Sequence, residues 1–344
     1  MKLSRNQINE AGKKLLSSKS NEERNAALDL INEWRFNHLQ PLVAVKNALL
    51  KILDKNKITP VLVSQRLKRM SSIEYKLDLN EKMGLGGMQD IGGFRTVVKD
   101  TKDLFKLQEI LEKKSGRHER KKVSDYVAKP KDSGYRSIHY RYIYKSRIEK
   151  YNGIRLELQI RTKLQHNWAT AVETAGIFTK TSLKSSKGSD EWLDFFKVVS
   201  SLFAIKEEQP VLEAHSELTM EDLMKKCHYL TKRINVIDIL KGLRISAKQI
   251  EIEKFKGEYY LIHIDFKLKH VHVYVYRKSQ FEEASAEYLG IEKTVNENQN
   301  AVVLVSASSI KSLQKAYPSY FLDTSEFISA LEKINANCEA LGLV

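Results

Sequence analysis

Apolar and polar residues alternate without interruption from Ile154 to Arg161. A period of two residues predicts a β-strand whose one face lies in a hydrophobic core. The opposite face would carry the carboxylate of Glu157 between the guanidiniums of Arg155 and Arg161, with Gln159 beside them. For an isolated strand, a solvent-exposed polar face is the simpler explanation, so the alternation by itself indicates structure and not function.

The remaining hydrophobic pattern predicts a mixed α/β fold with a small β module near the end of the chain. Helical spacing covers residues 5–55, 104–111, about 190–245 and 325–341, and Asn21 is a candidate helix cap. Strand patterns occur at 91–98 and 137–144, and again at 249–255, 258–266, 271–276 and 301–306, where they suggest an antiparallel meander. We therefore expect a first domain at 1–190, a helical linker at 191–245 and a C-terminal domain at 246–344.

Positive charge is concentrated in the first part of the chain. Residues 1–200 contain 40 Lys and Arg against 23 Asp and Glu, a net charge of +17, whereas residues 201–344 have a net charge of −2. This asymmetry favours phosphate-bearing partners for the first 200 residues. The sequence has no long apolar run and only two distant cysteines, Cys227 and Cys338, so we expect a cytoplasmic protein without a membrane partner.

Two further segments change the interpretation of the alternating strand. QDIGGFR at 89–95 supplies a second acid, Asp90, and KPKDSGYRSIH at 129–139 is a basic loop that would present an exposed aromatic residue, Tyr135. Together and in this order, the three segments resemble the synthetase domain of the RelA/SpoT family of nucleotide pyrophosphokinases. The resemblance covers roughly residues 25–175 and implies a mixed-sheet synthetase core.

The resemblance implies specific roles for the two acids and for the cations before them. Asp90 and Glu157 would bind Mg²⁺ and carry the catalysis, and Glu157 would either coordinate the metal or accept the proton of the attacking hydroxyl. The ATP-binding set would be Arg66, Lys68, Ser72, Lys76 and Arg95. A polymerase-like nucleotidyltransferase would place another acid two residues after Asp90, where this chain has Gly92, so the pattern favours pyrophosphate transfer.

The acceptor site would be formed around the basic loop. By resemblance, Tyr135 stacks on the acceptor base, and the rest of the set consists of Lys131, His139, Gln159, Arg161 and His166. Aromatic stacking tolerates any base. It therefore fits a guanine nucleotide and an unpaired RNA end equally well, and the basic run at 113–122 is either a solvated turn or a path for an RNA backbone.

The C-terminal part resembles a regulatory domain. AYPSYFLD at 316–323 is similar to the Tyr-x-x-Tyr motif of CapRel-type proteins, which fuse a toxic small alarmone synthetase to its antitoxin. The resemblance implies that Tyr317 and Tyr320 cover the ATP site, that the β module is finger-like without zinc, and that a phage capsid protein releases the restraint.

Three functions remain open from the sequence. The leading hypothesis is an ATP pyrophosphokinase that modifies the 3′ hydroxyl of the tRNA acceptor end and thereby inhibits translation in antiphage defence. The alternative acceptor is GDP or GTP, which would make the protein an alarmone synthetase. A catalytically inactive RNA-binding sensor is the third hypothesis, although Asp90 and Glu157 argue against it.

Overall fold

The structure confirms the predicted mixed α/β fold. The computed structural model describes residues 3–80, 82–113, 116–179, 189–246, 250–252, 257–265, 270–294, 300–306, 313–314 and 324–344. Its strands are β1 Leu62–Leu67, β2 Gly92–Val98, β3 Glu119–Asp125, β4 Ile138–Ile143, β5 Arg155–Thr162, β6 Ile250–Ile252, β7 Tyr259–Asp265, β8 His270–Tyr276 and β9 Asn300–Ser306. Within the described residues they form one sheet, in the order β3-β4-β5-β2-β1-β9-β7-β8-β6.

Helices surround this sheet. They are α1 Arg5–Ser17, α2 Asn21–Phe36, α3 Leu39–Lys55, α4 Met70–Asp78, α5 Thr101–Lys113, α6 Lys163–Thr179, α7 Asp190–Lys206, α8 Met220–Arg233, α9 Val236–Ser246, α10 Phe281–Thr294 and α11 Ser325–Ala340. Among these helices, none has both the length and the apolar character that crossing a membrane requires.

The first three helices confirm the helical prediction for residues 5–55. Ser4 and Gln7 form a reciprocal capping box at the start of α1. The cap of α2 is Ser20, whose side chain accepts a hydrogen bond from the backbone amide of Glu23. The prediction that Asn21 caps this helix is therefore wrong by one residue, because serine and asparagine are both good caps and adjacent here.

The central strands give the sheet its buried apolar face. β2 runs parallel to β5, and β1 and β4 flank this pair in antiparallel orientation. Phe94, Leu156, Leu158 and Ile160 are buried together with leucines of α3 and α5. The apolar half of the alternating strand thus lies in a core, as its periodicity predicts.

A second core joins the helices that follow β5. Phe327 of α11 packs against Phe196 of α7, with ring centroids 6.0 Å apart, and Trp168 of α6 lies at the same distance from Phe196. Lys163 and Glu326 add an ion pair of 2.7 Å between α6 and α11. The last described helix is therefore held against the helices that directly follow the central strands.

The C-terminal strands extend the central sheet. β7 pairs antiparallel with β8 and with β9, and Val305 of β9 pairs with Arg66 of β1. The prediction of an entirely antiparallel meander is wrong for β6. This strand pairs parallel with β8, because β7, the next strand in the chain, lies on the opposite side of β8. Helix α10 lies between β8 and β9 in the chain, and the sequence analysis assigned no element there.

Tyr317 and Tyr320 lie outside the described residues. The division of the chain into residues 1–190, 191–245 and 246–344 also stays a prediction.

Candidate active site

Polar side chains form two adjacent rows on one face of the central strands. In the first row, Gly93 of β2 lies between Arg66 of β1 and Glu157 of β5. Glu157 in turn pairs with Arg141 of β4. The second row consists of Ser64, Arg95, Gln159 and His139. Paired residues on neighbouring strands point to the same face. The sheet register therefore gathers residues that are far apart in the sequence.

Asp90 lies just before β2 and is held by two lysines. Lys68 donates to one carboxylate oxygen and Lys76 to the other, each at 2.9 Å. Burial alone would raise the pKa of Asp90, but the positive charges of Lys68 and Lys76 lower it well below its usual range. The carboxylate is consequently ionised, and both of its oxygens already have charged partners.

Glu157 is buried in the middle of the first row. Its carboxylate accepts a hydrogen bond of 2.8 Å from Gln159 and lies 3.2 Å from Nδ1 of His139. Burial would raise the pKa of Glu157 and so would the negative charge of Asp90, but hydrogen bonding to His139 lowers it overall. Asp90 lies three residues before Gly93, the partner of Glu157 in β2, so the sheet register brings the two acids to the same region.

His139 connects Glu157 to the basic loop. Its Nε2 is 3.0 Å from the hydroxyl of Tyr135. Burial would lower the pKa of His139, but Tyr135 and Glu157 raise it. His139 is thus a positive or hydrogen-bonding partner of the carboxylate, and it lies beside the acid that sequence analysis assigned to catalysis.

The two acids are suited to a magnesium ion that also binds phosphates. Mg²⁺ prefers oxygen ligands and commonly uses one or two carboxylates together with substrate phosphates. In the described part of the chain, no group of three or more acidic, histidine or cysteine side chains could hold a metal. Each oxygen of Asp90 accepts one hydrogen bond from a lysine and has a further lone pair that a metal could use.

Two of the predicted ATP-binding residues, Lys68 and Lys76, contact Asp90. Arg66 ends the polar face of β1, Lys68 lies in the turn after it, and Ser72 and Lys76 are on α4. Ser72 and Lys76 are four residues apart and therefore share a helix face. Lys68 and Lys76 reach Asp90 directly, so the structure brings this part of the predicted set together.

Arg161 is a buried cation at the end of the polar face. Its side chain is 1% exposed, and its Nε and Nη1 have no hydrogen-bond acceptor within the described residues. Burial, with the nearby charge of Arg95, lowers the pKa of Arg161 to about 9, although Tyr135 and Glu173 oppose this shift. An isolated buried charge is costly unless an anion compensates it. Arg161 is consequently placed to receive one.

The prediction of an exposed Tyr135 is wrong. The residue is 4% exposed and belongs to the helical core. The preceding Gly134 has a φ of +89°, and a Cβ there would lie 2.9 Å from Ser200. This turn packs the loop against α7 and covers the ring. Stacking of a base on Tyr135 would require the loop to move.

The other predicted acceptor residues differ in how far their side chains are buried. Lys131 is exposed, and its ammonium lies 4.7 Å from the ring centre of Tyr126 and 5.4 Å from that of Tyr135. His166 is buried in the first turn of α6, with 6% exposure, and not at the surface as an isolated histidine at a helix start suggests. The structure thus places His166 in the interior and Lys131 at the solvent boundary.

Sequence reasoning missed Arg141. Its Nε lies 3.7 Å from the Glu157 carboxylate, and its side chain is 26% exposed. The alternation in β4 offered a signal, because Arg141 is two residues from His139 and must share its face. The sequence alone does not show that β4 pairs with β5, and this pairing is what brings Arg141 to Glu157.

Replacing Arg161 with Met should weaken the binding of a triphosphate such as ATP, because a buried positive charge is removed. The thermal stability should stay the same or rise, since the folded protein no longer desolvates an unpaired charge. Titration calorimetry with ATP and Mg²⁺, together with a thermal melt, measures both effects.

Arg136→Met is the matched control for this prediction. Arg136 is also buried, but it donates to the Ser200 hydroxyl at 3.1 Å and to the carbonyl of Val127 at 3.3 Å. Its replacement should lower the melting temperature. An equally large loss of stability in Arg161→Met would contradict the assignment of Arg161 as an anion-binding group.

Comparison with known proteins identifies the region that contains these residues. A family model described as "Region found in RelA / SpoT proteins" matches residues 65–182. The chain is 34% identical over 114 residues to the Arabidopsis thaliana protein "Probable GTP diphosphokinase RSH3, chloroplastic", covering 33% of this chain and 15% of that protein. It is 30% identical over 146 residues to the GTP pyrophosphokinase of Haemophilus influenzae, covering 42% and 18%. This chain thus spans less than a fifth of these relatives' own lengths.

Two solved structures are similar to about half of this chain. Small alarmone synthetase 1 from Bacillus subtilis bound to its product pppGpp has a TM-score of 0.44 and 23% identity, covering 50% of this chain and 90% of that one. A GTP pyrophosphokinase family protein from Streptococcus pneumoniae has a TM-score of 0.44 and 24% identity, covering 51% and 88%. The sequence matches place Asp90 and Glu157 within a region found in RelA and SpoT proteins, which extends over residues 65–182 of this chain.

Proposed function

We propose that this protein transfers pyrophosphate from ATP to a hydroxyl group of a nucleotide or RNA. The observation that carries the proposal is the pair of acids at the central strands, with Lys68 and Lys76 in direct contact with Asp90, and His139 and Gln159 in contact with Glu157. The relatives named as GTP diphosphokinases and pyrophosphokinases over the same residues support this reaction class.

The reaction makes specific demands that these residues can meet. The acceptor oxygen attacks the β-phosphorus of ATP, the bond from that phosphorus to the oxygen bridging the α-phosphate breaks, and AMP leaves. The hydroxyl proton needs a carboxylate, and Glu157 remains ionised because its pKa is lowered. Lys68 and Lys76 would turn from Asp90 toward the phosphates, with Arg66 and Arg95 on the adjacent face.

Mg²⁺ would be held by Asp90, and by Glu157 where that carboxylate does not take up the hydroxyl proton, and it would neutralise charge on the ATP phosphates. Ser72 would contribute a hydroxyl on the same face of α4 as Lys76. His139 and Gln159 orient the Glu157 carboxylate, since each contacts one of its oxygens. The first step for these side chains is therefore to exchange their contacts with one another for contacts with substrate.

We propose the acceptor end of tRNA as the leading substrate. The net charge of +17 in residues 1–200 supports a polyanion, and β3 adds Lys121 and Lys122 at an exposed sheet edge. Lys131 at the entrance to the Tyr135 loop is a further exposed cation. An acceptor base would have to open this loop before it could stack on Tyr135.

GDP or GTP is the second candidate acceptor. The names of the Arabidopsis thaliana and Haemophilus influenzae relatives favour it, because both refer to GTP. A guanine nucleotide needs fewer surface cations than tRNA does. The two acceptors therefore differ in how strongly salt should affect the reaction.

The C-terminal part is proposed to restrain the activity. Tyr317 and Tyr320 would occupy the place of the adenine by stacking and by cation–π contact with arginines of the ATP site. By resemblance to CapRel-type proteins, a phage capsid protein would release them in antiphage defence. Helix α11 contacts α6 and α7. These contacts support the proposal because they hold the end of the chain near residues 65–182.

Asp90→Asn and Glu157→Gln should each abolish pyrophosphate transfer, because each removes a negative charge that holds the metal or the hydroxyl proton. Melting temperatures near that of the wild type would verify folding. The assay follows the radioactive label of [γ-³²P]ATP into product. Turnover near the wild-type rate in saturating Mg²⁺ would contradict the active-site assignment and favour another function class, such as an RNA-binding sensor.

In the double variant Tyr317→Ala and Tyr320→Ala, which removes the proposed restraint, deacylated tRNA, and not GDP or GTP, should become labelled when all three are offered separately. Raising the salt concentration should slow tRNA labelling steeply, because ions displaced from the RNA backbone oppose binding. The double variant Lys121→Glu and Lys122→Glu should lose tRNA labelling, while Lys225→Glu and Lys232→Glu on α8 should retain it. Labelling of GDP or GTP without labelling of tRNA would establish the alarmone synthetase instead.

The double variant Tyr317→Ala and Tyr320→Ala should inhibit cell growth without any trigger, because the open, ATP-binding form gains population. Adding Asp90→Asn should restore growth, which separates enzyme release from misfolding. Co-expressed phage capsid protein should make the wild type toxic in the same way. A well-folded double variant that cells tolerate at wild-type expression would refute self-restraint by these tyrosines and leave the pyrophosphokinase proposal intact.

A further inference from the structure

An ion pair with a fully buried arginine joins two helices that are distant in the sequence. Arg35 of α2 has 0% exposure, and its Nη1 lies 2.9 Å from Oε2 of Glu292 on α10. Tyr288, one turn earlier on α10, accepts a hydrogen bond of 2.8 Å from Nη2 of Arg35 and also contacts Glu292. Three side chains from opposite ends of the described structure thus form one cluster.

This cluster also holds the turn between β1 and α4. Arg35 donates to the carbonyl of Lys68 from Nε at 3.1 Å and from Nη2 at 2.8 Å. Glu292 accepts a hydrogen bond of 2.9 Å from the backbone amide of Met70. The turn is therefore fixed on both sides of Arg69, once through a carbonyl and once through an amide.

The guanidinium of Arg35 has no capacity left for other partners. Its five N–H groups make six hydrogen bonds, two each to the Lys68 carbonyl and the Glu292 carboxylate and one each to Asn32 and Tyr288. Burial would lower the pKa of Arg35, but Tyr288 and Glu292 raise it, so it stays charged. A buried arginine with this many bonds defines a single geometry.

The turn that this cluster fixes carries the phosphate-binding residues. Lys68 projects from the turn to Asp90, and Met70 begins the helix that places Lys76 on the other oxygen of Asp90. A displacement of this turn would move both lysines relative to Asp90. Small errors in such positions strongly reduce the binding of a multiply charged ligand.

We propose that Arg35, Tyr288 and Glu292 are positioning residues for ATP, and that α10 is a required part of the phosphate-binding site. This inference rests on the proposed function. It gives the C-terminal part a second role, distinct from that of Tyr317 and Tyr320. In this role α10 supports ATP binding, so displacement of α10 lowers the affinity for ATP.

The test uses the full chain and a non-hydrolysable ATP analogue with Mg²⁺, measured by titration calorimetry. The double variant Arg35→Met and Glu292→Met removes both charges, so neither is left buried alone. It should bind the analogue about tenfold more weakly or worse. Tyr288→Phe keeps the ion pair and removes one hydroxyl, and its affinity should fall by a smaller factor of about three.

Glu287→Gln is the matched control on the same helix. Glu287 accepts a hydrogen bond of 2.6 Å from the hydroxyl of Tyr276 and does not take part in the cluster. Its affinity for the analogue should equal that of the wild type. In turnover assays, the KM for ATP should rise in the cluster variants, whereas the KM for the acceptor should stay the same.

Each outcome distinguishes this inference from the proposed function. A double variant that melts near the wild-type temperature and binds the analogue with wild-type affinity would overturn the inference alone. If the double variant does not fold, Tyr288→Phe decides, and unchanged affinity in that variant would overturn it. Wild-type protein that binds the analogue but transfers nothing would overturn only the proposed reaction. Absence of analogue binding in the wild type and also in the double variant Tyr317→Ala and Tyr320→Ala, in which the ATP site would be uncovered, would overturn both.

Discussion

Charge buried between the sheet and the elements around it is the constraint on which the site depends. Ionised groups taken out of water need partners, and here the partners are other protein groups. Asp90 is matched by Lys68 and Lys76, and Glu157 by His139 and Gln159. These contacts hold the two acids and the lysines beside Asp90 in one arrangement.

Arg161 differs from this pattern, and the difference is informative. Arg35 donates from all three of its nitrogens, and Arg136 donates from Nε and Nη1 and lacks an acceptor only at Nη2. Two nitrogens of Arg161 have no acceptor among the described residues, and its nearby charges include Arg95. An anionic ligand would compensate the desolvation of the Arg161 guanidinium. For this reason the polar face resembles a binding site more than an ordered core.

The C-terminal elements contribute to the same architecture. β9 continues the sheet beyond β1, α11 packs on the helices after β5, and α10 reaches the turn that contains Lys68. All three elements follow residue 245, in the part of the chain where the sequence predicts a C-terminal domain. The contacts make the first and last parts of the described structure depend on each other, through backbone pairing and through the bonds of Arg35.

The amino-acid sequence by itself determined the type of most elements and the face that each strand buries, because periodicity reflects local geometry. The alternation at 154–161 thus predicted both the core leucines and the polar row that contains Glu157. Local signals were weaker at β3, whose basic residues suggested a turn, and at α10, where no element was assigned. Only the tertiary structure decided which strands are neighbours, that Tyr135 is covered, and that Arg35 meets Glu292. These outcomes depend on contacts between distant residues, whose free energy is gained only when the whole sheet is assembled.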